Sequence, residues 1–575
     1  MKKIIYTILA LAFLSFESCQ TDWDELNKNP NQLEKPAPEL VMNYVFRQSV
    51  VQMANNNMNY LWPYANQITI QASRYNTQND GNWQNLYVNV LGNLTQLKKL
   101  YAGDPNYNNR LQIATIWECY IYAYLTGLHG PVPMSEAMSN SSNIKYDSEN
   151  EVYTEILDRL KKASDAIDLK GDKLTLDPIL SGSNEKWKRF ANSLRLRIAL
   201  RCLKNAPEAA IPAIQELMQD EQNLMTSNLD NLSLKFAAGD SNESPYYTRL
   251  VRNTVINTQY PKMNYYLFTF LRSYKDPRID AYFERPAESD RYTITDTLSR
   301  AADDTLSIVT YKAPHIGQDK TNAPLPQWGL TGTNPLSGIG FNSYSSLKGT
   351  ILADNYAFKI MDYSEVCFLK AEVAELGFGG SKSADDYYYD GIRSSLNSWA
   401  ITDNQLYTNY IANNGIKWDT QGKGFNYIFG IVNSSIPSDN LAKIYIQRWL
   451  NYYPDGAFDA WCLQRQTQSL NLPPMTQSGN QFLSSDVTDI PDRWEYPFSS
   501  KSYNNVGYSN AVSSIGGIDY PNVVLNFAKT PVRVNWKGIS GFYDFSAVRK
   551  QYGTSIESLQ VQDVPYTVVS KFKKK

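Results

Sequence analysis

The chain runs to 575 residues, enough to bury one large core or two to three smaller ones. Its 55 Lys and Arg nearly balance 57 Asp and Glu, which argues against nucleic acid, whose capture depends on clustered cations neutralising phosphates. Charged residues make up only 19%, whereas 41 Tyr, 12 Trp and 21 Phe supply flat apolar faces, most with a polar edge, suited to stacking on a sugar ring and bonding its hydroxyls.

Lys2 and Lys3 open the chain, and the apolar run Ile4 to Phe16 follows. As a helix that run rises about 20 Å, short of a bilayer core of about 30 Å, so residues 1–18 are expected to be a cleaved export signal. Cys19 comes next, ahead of the polar stretch Gln20 to Glu25. A cysteine so placed resembles the lipid-attachment site of bacterial lipoproteins, which implies tethering to a membrane surface through Cys19. No later apolar run approaches 18 residues.

Helical spacing appears next in Ile113, Trp117, Tyr120, Tyr124 and Leu128, closed by Gly130 and Pro131. Ser148 with Glu151 three residues on is a capping-box signature, and Val152, Ile156, Leu160, Ala163 and Ile167 line one face behind it. Trp187, Phe190, Leu194, Ile198 and Cys202 make a third helix. Pro207 opens a fourth, whose start Pro212 is positioned to delay. Val366, Leu369, Val373 and Leu376 form a stripe ending at Gly377, and Ala384, Tyr388, Ile392, Leu396 and Trp399 form its partner. Two helices joined by a Gly turn look like a tetratricopeptide unit. A last pair, Leu441 to Tyr453 and Phe458 to Gln466, is split by Pro454, Asp455 and Gly456. The fold class is therefore mostly α: a tetratricopeptide-like scaffold of helical hairpins with a large irregular, loop-rich face. Long Asn-, Ser-, Gly-, Pro- and Tyr-rich insertions (55–82, 222–262, 286–350, 467–535 and 536–570) build that face, with small hairpins expected at pieces such as Tyr292-Thr-Ile-Thr. Residues 19–575 are read as one domain carrying these insertions.

Catalytic signals are sparse. The two histidines, His129 and His315, belong to no zinc motif, and nucleophile elbows, P-loops and a complete dinucleotide fingerprint are absent. A carboxylate pair for glycoside hydrolysis is a spatial feature and stays open. Asn76 to Asn82 mimics the start of a calcium loop, but Tyr87 stands where a bidentate Glu belongs, so a polar turn before a helix near Trp83 is the better reading. Cys119, Cys202, Cys367 and Cys462 lie inside apolar helical patterns and read as buried thiols. No catalytic residue, metal ligand or cofactor is expected. Candidate ligand contacts are loop aromatics with polar neighbours: Trp62, Tyr64, Arg74, Tyr75, Asn79, Asp80 and Trp83, then Trp328, Asn334, Asn342 and Tyr344. Trp83 and Tyr87 stand at helical spacing, so a core role competes for both.

Several motifs recur in order. They are Asp22-Trp-Asp-Glu-Leu-Asn-Lys-Asn-Pro-Asn31, Gly130-Pro-Val-Pro-Met-Ser-Glu-Ala137, Lys275-Asp-Pro-Arg278, Tyr363-Ser-Glu-Val-Cys-Phe-Leu-Lys-Ala-Glu372, Ile446-Gln-Arg-Trp449 and Ile490-Pro-Asp-Arg493 before Tyr496-Pro497. Together they resemble the SusD/RagB family of outer-membrane lipoproteins from Cys19 to about residue 500. Arg465-Gln466 departs from it, standing where relatives carry paired arginines. The resemblance implies a nutrient-binding, non-enzymatic lipoprotein facing the cell exterior. It also implies an oligosaccharide ligand and a SusC-like TonB-dependent transporter as partner, with peptide capture as the alternative. The motif residues look structural, and no ligand contact carries over through them.

Overall fold

The structure, a computed structural model, describes residues 35–69, 80–252 apart from 140, 142 and 240, parts of 261–284, 345–418 apart from 414, 439–470, 472 and 490–529, with the backbone of 294–296 and 566–568. Helix α1 (Pro38–Asn56) runs on through a wider π turn, Asn57–Leu61, into Trp62–Tyr64. Residues 55–64 are thus helical and not the irregular insertion expected. A second composite helix joins α2 (Asp80–Gln84), the π turns of Asn85–Gly92 and α3 (Asn93–Leu100).

The scaffold follows in chain order. Helix α4 (Asn108–His129) packs on α5 (Glu149–Ala166), α5 on α6 (Asn184–Cys202) and α6 on α7 (Pro207–Gln219). Farther along, α8 (Tyr363–Glu375) packs on α9 (Ala384–Ser398) and on α11 (Asp439–Asn451), which leads into α12 (Ala457–Thr467); α10 (Asn404–Ile411) lies against α9. These are the expected hairpins. The capping box forms as read: Ser148 Oγ accepts from the Glu151 N–H, and Glu151 Oε2 accepts from the Ser148 N–H at 2.7 Å. Helix α7 starts at Pro207 and runs straight through Pro212, so the expected delay does not occur.

Two glycines are required by geometry. Gly130 ends α4 at φ 89°, and a Cβ there would meet Leu525 Cδ2 at 2.8 Å. Gly391 lets α9 close on α8, where a Cβ would stand 2.5 Å from Phe368 Cε1.

The family-like motifs pack the interior with paired charge. Glu365 and Glu372, seven residues apart on α8, are both buried. Glu365 accepts from Arg197 Nε at 2.6 Å and from the Tyr452 hydroxyl at 3.0 Å. Glu372 pairs with Arg448 and accepts from the Tyr445 hydroxyl. Asp459 of α12 pairs with Arg201, so one network ties α6, α8, α11 and α12. In the Asp-Pro-Arg motif, fully buried Arg278 chelates Asp276 and also donates to Ser395, Tyr410 and Gln447, joining α9, α10 and α11. Arg465 lies on the Trp461 ring at 3.4 Å and donates to the Asp492 and Gly127 carbonyls, while Gln466 donates to the Leu200 carbonyl. Both residues of the departing pair are thus packing residues. Cys119, Cys202, Cys367 and Cys462 are buried and unpaired.

The turn between α11 and α12 ties down distant segments. Asp455 accepts from the Tyr246 hydroxyl at 3.0 Å, the Tyr356 hydroxyl at 2.7 Å and the Lys359 N–H at 2.8 Å.

The strands are short. β1 (Ile68–Thr69) pairs with β3 (Lys262–Met263), β2 (Leu232–Lys235) with β5 (Ala357–Met361) and β4 (Ile294–Asp296) with β6 (Tyr566–Val568), all antiparallel. The Tyr292 piece therefore pairs far along the chain, not in a local hairpin. No described helix is long and apolar enough to cross a membrane.

Candidate functional site

Backbone pairing brings two of the long insertions to one root. Ile68 faces Met263 and Thr69 faces Lys262 across the β1–β3 ladder, while Lys262 also bridges Ser346. The Met263 N–H donates to the Ser345 carbonyl at 2.9 Å, and the Asn264 N–H to the Gln67 carbonyl at 3.1 Å. Residue 69, where segment 70–79 departs, and residue 345, to which segment 285–344 returns, therefore flank the same two-residue strand. Neighbouring strands lie about 4.8 Å apart, so the two openings stand about 10 Å from each other. Arg74, Tyr75 and Asn79 belong to the first segment, and Trp328, Asn334, Asn342 and Tyr344 to the second. All seven lie outside the described residues, as does Cys19.

Segment 70–79 rejoins the fold at Asp80, and there an aromatic ledge begins. Trp83, half-buried, meets His129 edge-on at 5.1 Å, Tyr87 at 4.7 Å and Tyr146 at 6.1 Å. His129 lies 6.2 Å from Trp494, and Trp494 meets the half-buried Tyr60 edge-on at 5.0 Å. Tyr60 and Trp83 are thus the two part-exposed ends of a ring chain whose middle, His129 and Trp494, is buried. Tyr60 sits in the π turn after α1, a local widening often found at functional sites. Burial raises the Tyr60 hydroxyl above its usual range, with Arg249 opposing. His129 Nδ1 faces the Trp494 carbonyl at 3.2 Å, so that nitrogen carries the proton and donates. Burial, with the Arg493 guanidinium beside it, lowers the imidazole to about 3, so His129 is neutral at physiological pH.

Two expected contacts are corrected. Trp62 is fully buried, its indole N–H donates to the Pro454 carbonyl at 2.7 Å and its ring tilts against Tyr246, so it belongs to the core. Tyr64 is likewise fully buried. Asp80 is exposed, but its carboxylate accepts from the Phe498 and Ser499 N–H groups at 2.9 and 3.3 Å, starting the helix α13 (Phe498–Tyr503). That acceptor is spent on a helix start. Tyr87 is a core residue whose hydroxyl donates to the Pro133 carbonyl. Asn82, from the calcium-like stretch, is buried and accepts from Asn56. Among the described residues no group of three acidic, His or Cys side chains is arranged to hold a metal.

Sequence reasoning missed Tyr60 and Arg249. The signal for Tyr60 was present, since Asn57-Met-Asn-Tyr continues the α1 register, but its Asn content read as loop. Tyr60, Trp83 and Arg249 offer ring faces and donors, and none is poised as a nucleophile or general acid.

Relatives agree with this architecture. The sequence profile of a family described as starch-binding and associating with the outer membrane matches residues 30–497. The chain belongs to the SusD-like family. Among solved structures, a Bacteroidetes SusD-like protein shares 22% identity and superimposes with a TM-score of 0.68, covering 86% of this chain and 100% of its own. A chitin-binding SusD homologue from Flavobacterium johnsoniae shares 20% identity at a TM-score of 0.66, covering 86% of this chain and 99% of its own. A SusD homologue from Bacteroides uniformis shares 21% identity at a TM-score of 0.65, with 86% and 100% covered. These three show the SusD-like fold. No curated protein matches the sequence.

Proposed function

We propose that this SusD-like chain is a cell-surface lipoprotein, anchored through Cys19 after loss of residues 1–18, that captures an oligosaccharide and delivers it to a SusC-like TonB-dependent transporter. Capture is by stacking and hydrogen bonding, with no bond made or broken. Two observations support this reading: segments 70–79 and 285–344 share a root on β3, and part-exposed rings, Tyr60 and Trp83, flank a buried ring chain close after segment 70–79 rejoins the fold at Asp80. Fixed, part-exposed rings give a sugar a flat floor, and Arg74, Tyr75, Asn79, Trp328, Asn342 and Tyr344 are the further contacts this reading assigns. The chitin-binding relative supports a glycan over a peptide. Residues 19–575 act as one domain in this scheme.

The test is a glycan array followed by affinity electrophoresis on the mature chain. Tyr60→Ala and Trp328→Ala are each expected to weaken binding about tenfold, the range of one aromatic contact. Unfolding midpoints should stay near wild type for Tyr60→Ala, whose ring is part-exposed. Retention of glycan at full strength by both variants and by Tyr75→Ala would remove the ledge from the site. Release of shortened sugars on long incubation would overturn the non-enzymatic reading, and pull-down of a TonB-dependent transporter with the acylated protein tests the partner.

A further inference from the structure

Tyr60 reaches the ledge from a turn that an ordinary α-helix does not make. Helix α1 widens at Asn57–Leu61 into a π turn, a rare form that appears mostly as a single bulge within an α-helix. Slipping back to the α register would move the residues after Asn57 by one position, about 100° around the axis. The Tyr60 ring would then leave its edge-on contact with Trp494.

Both ends of the π turn are held from the turn that follows α11. The Asn57 side-chain amide donates to the Asp455 carbonyl at 2.8 Å and to the Tyr246 hydroxyl at 3.2 Å, and that hydroxyl donates in its turn to the Asp455 carboxylate at 3.0 Å. Trp62 closes the π turn with its backbone N–H on the Asn57 carbonyl, and its indole N–H donates to the Pro454 carbonyl at 2.7 Å. Just upstream, Trp449 of α11 secures the approach to β1: its carbonyl accepts from the Gln67 amide at 2.6 Å, and its indole donates to the Ala65 carbonyl at 2.8 Å. Asn57 lies 398 positions from Asp455, and Trp62 392 from Pro454, so no local preference supplies this support.

We infer that Asn57, Trp62 and the Pro454–Asp455 turn are positioning elements of the glycan site, which hold the π register and so aim Tyr60 at the ligand. Asn57, Trp62, Tyr246 and Asp455 are all buried, so they act on a sugar only through the ring they aim. This inference rests on the glycan-capture reading and adds to it the residues that set the floor without touching the ligand.

A double-mutant cycle on the mature chain tests it, titrated calorimetrically with chitohexaose, maltohexaose and the tightest-binding glycan of the array. Asn57→Ala and Trp62→Phe, which removes the indole N–H and keeps a ring, are each expected to weaken binding about five- to tenfold, approaching the loss from Tyr60→Ala itself. In the Tyr60→Ala background the same changes should cost less than about twofold, because the ring they aim is gone. A role confined to stability would lower the unfolding midpoint and leave affinity equally unmoved, or equally weakened, in both backgrounds. Either of those results overturns the inference and leaves capture standing. Should Asn57→Ala fail to fold, Trp62→Phe carries the cycle alone. Full-strength binding by Tyr60→Ala overturns the inference together with the place of Tyr60 in the floor, and failure of every glycan to bind overturns capture as well.

Discussion

Glu365→Ala is expected to cost about 3–5 kcal/mol of folding free energy, far more than an exposed charge removal. The carboxylate is buried on α8, bidentate on Arg197 and bonded to Tyr452. Without it Arg197 keeps only the Ile360 carbonyl at 3.4 Å and Asp459, 3.6 Å away and already paired with Arg201. A buried guanidinium then stands half-answered in a site that water reaches poorly, and the α6–α8–α11–α12 junction carries the penalty. Glu155→Ala is the control: it breaks the Arg159 pair at the exposed Glu155 of α5, Arg159 keeps Glu118, and the cost stays within about 0.5 kcal/mol. Urea unfolding of the two variants at one pH separates them by midpoint, with the slope checked for constancy. A Glu365→Ala midpoint shifted no further than that of Glu155→Ala would mean that the network is not what joins the helical pairs.

The same network explains what could be read from the residues alone. Stripes such as Val152, Ile156, Leu160 and Ala163 gave α5 its face because one side of that helix is solvated, and Ser148 with Glu151 marked its start. Helix α1 does carry a stripe, Met42, Val45, Phe46, Val50 and Met53, but the buried polar Ser49 and Asn56 interrupt it and the apolar Leu40 and Tyr44 are exposed on the other side. Periodicity is a contrast signal, and polar residues inside with apolar residues outside weaken it. Helix α13 hid in a Ser- and Asn-rich insertion because its support, Asp80, is remote in sequence. Helix α14 (Asn505–Ser514) has a local N-cap in Asn504, which accepts from the Gly507 N–H, but buries only Gly507 and Ala511 and so shows no apolar stripe. Candidate contacts failed where a ring was judged by its neighbours in sequence. Trp62 follows a polar run yet points into the core, whereas Tyr60, two residues earlier, reaches the ledge. The π turn at Asn57–Leu61 sets that phase, and no local propensity announces it.

Acidification is expected to act on two buried groups in opposite directions, and single variants should unmask each. His129 is lowered to about 3 in the fold, chiefly by burial, against about 6.5 unfolded. Between those values the unfolded chain binds a proton that the native chain refuses, so the stability from a neutral His129 is complete above pH 6.5 and drains away as pH falls. At pH 4.5 the loss is about 3 kcal/mol. Asp455 behaves in reverse. Burial pushes its carboxyl up to about 6, against about 3.8 unfolded, with the Lys359 N–H and the Tyr356 and Tyr246 hydroxyls opposing the shift. The native chain holds that proton more tightly, so stability rises as pH falls through 6, by about 2 kcal/mol at pH 4.5. In the wild type these slopes largely cancel. His129→Phe forfeits the hydrogen bond to the Trp494 carbonyl, about 1 kcal/mol at neutral pH, but removes the acid-labile term, so its stability relative to wild type should climb between pH 7 and 4.5. Asp455→Asn should move the other way over the same interval. Unfolding free energies at the two pH values, taken as differences from wild type, cancel the titration of every other carboxylate. Parallel pH curves for His129→Phe and wild type would show that the ring chain beneath Trp83 admits a charged imidazole, and with it enough water to compete for a ligand at the ledge.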